Sequence, residues 1–239
     1  MAGVLYLIPN ALGPGALQTI LPAQTSSIAA RLDYLVGENA KSTRAFLKRV
    51  DEVAPLAKPL REIEIVELNV STSTAALPSL LGPILQGRDG GLVSEAGCPA
   101  VADPGAGLVR LAHQHDIEVC PLVGPSAILL ALMASGLDGQ RFAFNGYLPI
   151  EAVERAKAVH AFERLSAQHR QTQIFIETPF RNQALLAALL GHCKPQTLLC
   201  VACDLTLDSQ SISTRSIEGW RAATIDLHKR PTVFLVLAL

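Results

Sequence analysis

The chain opens on a continuous apolar run, Val4-Leu-Tyr-Leu-Ile8, the signature of a strand buried on both faces of a parallel sheet. Turn formers follow at 9–15, and a second short strand is expected at 33–37. Asn39 caps a helix expected to about 53, with Phe46, Val50 and Val53 on one face and Lys41, Arg44 and Lys48 on another. A third strand is expected at 63–68, then a helix at 74–86 made irregular by Pro78 and Pro83. Strands at 91–94 and 118–123 flank a helix at 105–115. After Gly124-Pro125-Ser126 another helix runs to Ser135, with Gly136 just past its end. This alternation predicts a mostly parallel sheet with helices on both faces.

The segment 136–149 reads as a linker: Gly and Asp turn formers, then Phe142, Phe144 and Tyr147, closed by Pro149. Beyond it, helices are expected at 151–168 and 180–193, and strands at 173–177, 197–204, 211–215 and 232–237. The strands after Cys193 lie close together, so the second sheet is expected to be mixed. The expected fold class is therefore α/β, with two α/β domains spanning 1–140 and 141–239 and a hinge near 140.

Composition narrows the function. Apolar residues make up 49% and charged residues 17%, a globular balance and not a disordered one. The net charge of −1 gives no overall field to hold the protein on nucleic acid or an anionic membrane. It leaves room for a local patch: Lys41, Arg44, Lys48 and Arg49 could contact phosphates, although a solvated helix face is the plainer account. The run 119–135 is broken by Pro121, Gly124 and Pro125 and does not read as a membrane span, and no signal-peptide pattern precedes 4–8. A soluble, cytoplasmic protein is expected. Five cysteines, mostly in apolar runs, suit reduced, buried thiols. Cys200-Val-Ala-Cys203, with His192 and Cys193 nearby, raises zinc. On a strand, however, positions i and i+3 face opposite sides, and no metal is expected.

In open α/β sheets, ligands bind beyond the carboxyl ends of the strands. Three such loops stand out: 9–15, 94–105 and 123–127. In the second, Gly97 and Gly105 permit backbone conformations that a Cβ blocks, while Pro99 and Pro104 stiffen the chain. Such a loop suits a ligand read by backbone hydrogen bonds, and a long connection without a ligand is the alternative. Ser126 at a helix start is a capping hydroxyl, and the helix dipole there favours an anionic group such as a carboxylate. The chain lacks the G-x-G-x-x-G of dinucleotide binding, the G-x-x-x-x-G-K-[ST] of phosphate-cradling hydrolases and the G-x-S-x-G elbow of serine hydrolases.

Four segments together resemble the tetrapyrrole methylase superfamily: Leu92-Val-Ser-Glu-Ala-Gly-Cys-Pro-Ala-Val-Ala-Asp-Pro-Gly105, Pro121-Leu-Val-Gly-Pro-Ser-Ala127, Arg141-Phe-Ala-Phe-Asn-Gly-Tyr-Leu-Pro149 and Phe175-Ile-Glu-Thr-Pro-Phe-Arg181. The most similar branch is that of 16S ribosomal RNA methyltransferase I, a ribose 2′-O-methyltransferase. The resemblance implies S-adenosyl-L-methionine (SAM) held in the cleft between two α/β domains, and a homodimer. It places the cofactor against Gly97, Cys98, Val101, Ala102, Ser126, Ala127, Ile176, Glu177 and Thr178. Departures cluster where the substrate is expected: Gly13-Pro-Gly-Ala-Leu17 replaces Gly-Asn-Leu-x-Asp, and Glu38-Asn39-Ala40-Lys41 replaces Glu-Asp-Thr-Arg. Ser94-Glu95-Ala96-Gly97-Cys98-Pro99 stands for Ser-Asp-Ala-Gly-Thr-Pro, and Cys203-Asp-Leu-Thr-Leu207 lacks the basic residues of Arg-Glu-Leu-Thr-Lys.

Methyl transfer from a sulfonium is an in-line displacement, so alignment can supply much of the rate. A hydroxyl nucleophile also needs a base, for which Glu95 and Glu38 are the candidates, against the alternative that each caps a turn or helix. The expected function is a SAM-dependent methyltransferase acting on RNA. A tetrapyrrole or other small-molecule methyltransferase, and a SAM-binding regulatory protein without catalysis, are the rival readings.

Overall fold

A computed structural model describes residues 1–238; Leu239, the last residue of the second expected domain, lies outside the described residues. The chain divides into two compact units, Met1–Ser126 and Ala127–Leu239. The division thus falls before the helix that opens the second unit, not at 140. That helix packs on strands of the second sheet, so its contacts go with the later half of the chain.

In the first unit, β1 (Leu5–Ile8), β2 (Tyr34–Gly37), β3 (Glu64–Glu67), β4 (Gly90–Val93) and β5 (Val119–Pro121) form one sheet in the order β3-β2-β4-β1-β5. Every pairing in it is parallel. The central strands β2 and β4 are buried throughout, which accounts for their unbroken apolar character. Helices α1 (Ala23–Arg31) and α2 (Ala40–Asp51) cover one face, where Ile8, Leu35 and Val93 meet Ala29, Ala30, Phe46, Leu47 and Val50. Helices α3 (Leu77–Leu85) and α4 (Ala106–Gln114) cover the other, where Leu5, Val36 and Leu92 meet Leu81, Ile84, Leu108 and Ala112. Each fully buried Leu, Ile or Phe among these contributes about 1.5–3 kcal/mol.

Helix α1 has no counterpart in the sequence reading. Its buried residues are Thr25, Ser26, Ala29 and Ala30, all small, so it carries no strong apolar stripe and forms because it packs on α2. The Asn39 cap is present as expected: its side chain accepts from the N–H groups of Lys41 at 2.8 Å and Ser42 at 3.2 Å.

The second unit contains α5 (Ala127–Ser135), β6 (Phe142–Tyr147), α6 (Ala152–His169), β7 (Thr172–Ile176), α7 (Asn182–His192), β8 (Leu198–Cys203), β9 (Ser211–Ser216), α8 (Ile217–Arg221) and β10 (Thr232–Leu237). Its sheet runs β6-β7-β10-β8-β9 and is mixed: β6 and β7 are parallel, the remaining pairs antiparallel. The core gathers Phe175, Leu185, Leu189, Val201, Trp220 and Phe234.

The segment 136–149 is not merely a linker, because Phe142–Tyr147 is an edge strand. An edge strand with partly exposed faces shows no clean alternation. Its register also shifts between Phe144 and Tyr147, beside Gly146 at φ +64°. On β8, Cys203 is buried with its thiol 3.2 Å from the Thr232 hydroxyl. No group of three or more His, Cys, Asp or Glu able to hold a metal occurs among the described residues. No described helix is long and apolar enough to cross a membrane.

Candidate functional site

The strand order brings the three candidate loops together, because β4, β1 and β5 are neighbours and all point the same way. Their carboxyl ends therefore open on one edge of the first unit, with the end of β2 beside them. Asn10, directly after β1, ties the first loop to the second. Its backbone exchanges hydrogen bonds with Gly97, N–H to O at 2.9 Å one way and 3.1 Å the other. Its side-chain amide donates to the carbonyls of Ser94 at 3.3 Å and Glu95 at 3.0 Å, and its Oδ1 accepts from the Ala11 N–H at 2.8 Å. The third loop joins the second through the Cys98 thiol, 3.5 Å from the Pro125 carbonyl, and is held to α1 by Thr25, whose hydroxyl donates to the Val123 carbonyl at 2.8 Å.

Close approach makes glycine necessary at Gly124, where a Cβ would lie 2.3 Å from the Pro9 Cβ. Gly97 adopts φ +71°, in the left-handed region that favours glycine. Ala100 and Ala102 also stand there, at φ 64° and 67°. Non-glycine residues held left-handed cost about 1–2 kcal/mol each, and such strain concentrates at ligand clamps. Val101 and Ala102 are thereby turned outward and exposed, Cys98 is half-buried and Gly97 is buried. Burial pushes the Cys98 thiol up, so it stays protonated.

The two candidate bases meet at this edge. Glu38, at the end of β2 and just before the N-terminus of α2, accepts the Glu95 N–H at 3.4 Å on Oε1. Burial is the main cause of a raised Glu38 pKa, and the negative charges of Asp103 and Glu95 raise it further. Asp103 is raised too, by burial first and then by Glu95. The buried Ser94 hydroxyl faces both the Glu38 and Asp103 carboxyls and lowers each, although it makes no hydrogen bond of full geometry. Glu95 itself is exposed.

Asn10, Ser94 and Asp103 were not singled out from the sequence. Asn10 sits in a loop of turn formers where an Asn needs no other explanation, and only its partners across 84 and 85 residues give it a role. Asp103 had a signal, being the one acid inside the rigid part of the 94–105 loop. Of the basic group on α2, Lys41, Arg44 and Lys48 are exposed. Arg49 instead holds the first loop, donating to the carbonyls of Gly15 at 2.9 Å and Gly13 at 3.4 Å.

Ser126 is the last residue of the first unit and Ala127 the first of α5. In the second unit, Ile176 ends β7 and is followed by Glu177 and Thr178. The Glu177 carboxylate, 8% exposed, pairs with Arg181 at 2.5 Å and 3.1 Å and accepts the Thr178 N–H at 2.9 Å. Its side chain is thus committed to shaping its own turn. Asp204, in the segment that departs from the resembling branch, pairs with Arg230 at 2.7 Å and accepts from Ser209 at 2.9 Å.

No family model matches the chain. Over 190 residues it is 33% identical to ribosomal RNA small subunit methyltransferase I of Streptococcus pyogenes serotype M6, covering 80% of this chain and 61% of that protein. Over 215 residues it is 30% identical to the protein of the same name from Mesorhizobium japonicum, covering 90% and 68%. Among solved structures, the methyltransferase CobJ superposes with a TM-score of 0.64 at 19% identity, covering 99% of this chain and 95% of CobJ. The fold is that of the tetrapyrrole methylases. Within it, the chain belongs to the family of ribosomal RNA small subunit methyltransferase I. It spans 61% of the length of the Streptococcus relative.

Proposed function

We propose that the protein is a SAM-dependent methyltransferase that O-methylates RNA. The observation that carries this reading is the fastening of three strand-end loops, through Asn10 and Cys98, around a left-handed backbone segment bordered by acids. The donor set suits SAM. The outward-turned backbone at Val101 and Ala102 matches a ligand read by its adenine edge and amino-acid tail, and the crowded carboxyls of Glu38 and Asp103 favour a cationic ligand.

When bound, SAM supplies an activated methyl group on a positively charged sulfur. Gly97, Cys98, Val101 and Ala102 hold and orient it from the first unit. In this reading Ser126 and Ala127 serve the helix-start contact. Glu38 accepts the proton of the attacking hydroxyl; its raised pKa makes it a stronger base than an ordinary carboxylate, and Glu95 fixes its position through the backbone N–H. Lys41, Arg44 and Lys48 contact RNA phosphates.

Calorimetric titration with SAM and S-adenosylhomocysteine tests this first. Binding is expected in the wild type and lost in Gly97→Trp, where a bulky side chain meets Leu12 and the Pro125 carbonyl in a left-handed position. Absence of binding by the wild type overturns the cofactor assignment. Binding of SAM without methyl transfer to RNA, but with transfer to a tetrapyrrole, replaces the substrate and keeps the cofactor.

A further inference from the structure

The second unit carries a cavity of about 300 Å³ that the proposed methyl transfer does not use. One stripe of α6 forms its wall: His160, Glu163 and Arg164 at i, i+3 and i+4. Lys194, Gln196 and Thr197, from the turn between α7 and β8, form the rest. Ala238 closes one side, anchored by its N–H to the Ser166 hydroxyl of α6 at 2.9 Å. In the sheet, Leu237 pairs with Leu198, whereas Val233 pairs with Ile176. The cavity therefore lies at the end of this sheet opposite to Ile176, Glu177 and Thr178.

Its floor is fixed. Glu163 is 6% exposed, and its Oε1 accepts both the Lys194 N–H at 2.7 Å and the Thr197 hydroxyl at 2.5 Å. One oxygen of a buried carboxylate thus shapes the 194–197 turn and presents the Lys194 side chain to the cavity. His160 is braced by an edge contact with His192, ring centroids 5.3 Å apart. Arg164 and Lys194 are exposed and form no ion pair with any carboxylate among the described residues. Arg164, Lys194, the His160 imidazole and the Gln196 amide line one space, and among the described residues Glu163 is the one carboxylate in that lining, with one oxygen taken by protein donors.

We propose that this cavity is a binding site for a phosphate group, gripped by Arg164 and Lys194 and oriented by His160 and Gln196. A guanidinium and an ammonium on two different elements can clasp one tetrahedral anion from two sides. Glu163 limits the affinity by its charge while building the turn. The phosphate can belong to a polynucleotide backbone or to a free phosphate compound, and the two sources differ in measurable ways. The site does not depend on SAM binding or on methyl transfer.

The test is titration of the full chain with inorganic phosphate, followed by the NMR signals of the His160 ring, assigned with His160→Gln. Saturable shifts are expected, with affinity reduced about tenfold or more in Arg164→Ala/Lys194→Ala. Glu163→Gln keeps an acceptor for the Lys194 N–H and the Thr197 hydroxyl but removes the negative charge, so it should tighten phosphate binding about threefold or more. If Glu163→Gln proves unstable, the wild type and the double variant, whose changes are at exposed side chains, decide the matter. Binding of single-stranded RNA separates the sources. A salt slope shallower by about 0.7 in the double variant assigns a polynucleotide phosphate, and an unchanged slope, with inorganic phosphate still bound by the wild type and lost from the double variant, assigns a free compound. Absence of any shift at His160, or equal affinity in the double variant, overturns the proposal.

Discussion

Two carboxyl groups with opposite pKa shifts show how position decides what an acid does. Asp33 is held below the ordinary range by hydrogen bonds from Lys58 first and from Arg88, whose Nε lies 2.7 Å away. Its contribution to stability is present above the ordinary carboxylate range and lost as pH falls through its lowered pKa. Glu38 runs the other way. Its folded pKa is raised, so its contribution is full below the unfolded value and lost as pH rises through the folded one. Glu38→Gln should therefore melt higher than the wild type at neutral pH, with the gap closing below about pH 4. Thermal melts across pH check this. A lower melting point at neutral pH would mean that accepting the Glu95 N–H outweighs the burial of the charge. In the same variant, methyl transfer should collapse while SAM binding weakens far less, Asp103 remaining to favour the cation.

Between elements, the decisive contacts are those that fasten the loops after β1, β4 and β5. Asn10→Ala leaves the Ser94 and Glu95 carbonyls without their side-chain donor and should cost about 1–2 kcal/mol. Gly124→Ala forces a Cβ into Pro9 and should cost about 1–3 kcal/mol while parting the first and third loops. Both should weaken SAM binding more than they disturb the fold. Denaturant titration followed by circular dichroism is the measurement. Fluorescence of Trp220, the chain's single tryptophan, reports the core of the second unit, where its Nε1 donates to the Leu199 carbonyl at 2.7 Å. Little stability loss together with unchanged SAM affinity would show that the fastening is incidental to the cofactor.

For the whole molecule, the net charge of −1 means that RNA affinity has to come from local patches. Neutralising Lys41, Arg44 and Lys48 together to Gln should make the salt dependence of RNA binding shallower by about 2 in slope, at about 0.7 per single-strand phosphate contact. An unchanged slope would remove α2 from the RNA surface. The structure has already removed Arg49 from this patch, because it is bound to the carbonyls of Gly13 and Gly15.

The sequence by itself determined the α/β class, the parallel first sheet and the mixed second one, and three candidate loops, while the strand order that sets those loops side by side belongs to the structure. Continuous apolar strands, the Asn39 cap and the proline-stiffened 94–105 loop are local signals, and local signals survive in a linear pattern. It did not determine α1, whose buried face is Thr, Ser and Ala, nor the edge strand β6, whose pairing breaks register. Both owe their form to a neighbour and not to their own periodicity. The partners of Asn10, the crowding of Glu38 with Asp103 and the cavity beside Glu163 also belong to tertiary structure alone. Each joins residues from 31 to 85 positions apart or set on different strands, and burial, which sets charge and proton affinity, exists only once the chain has folded.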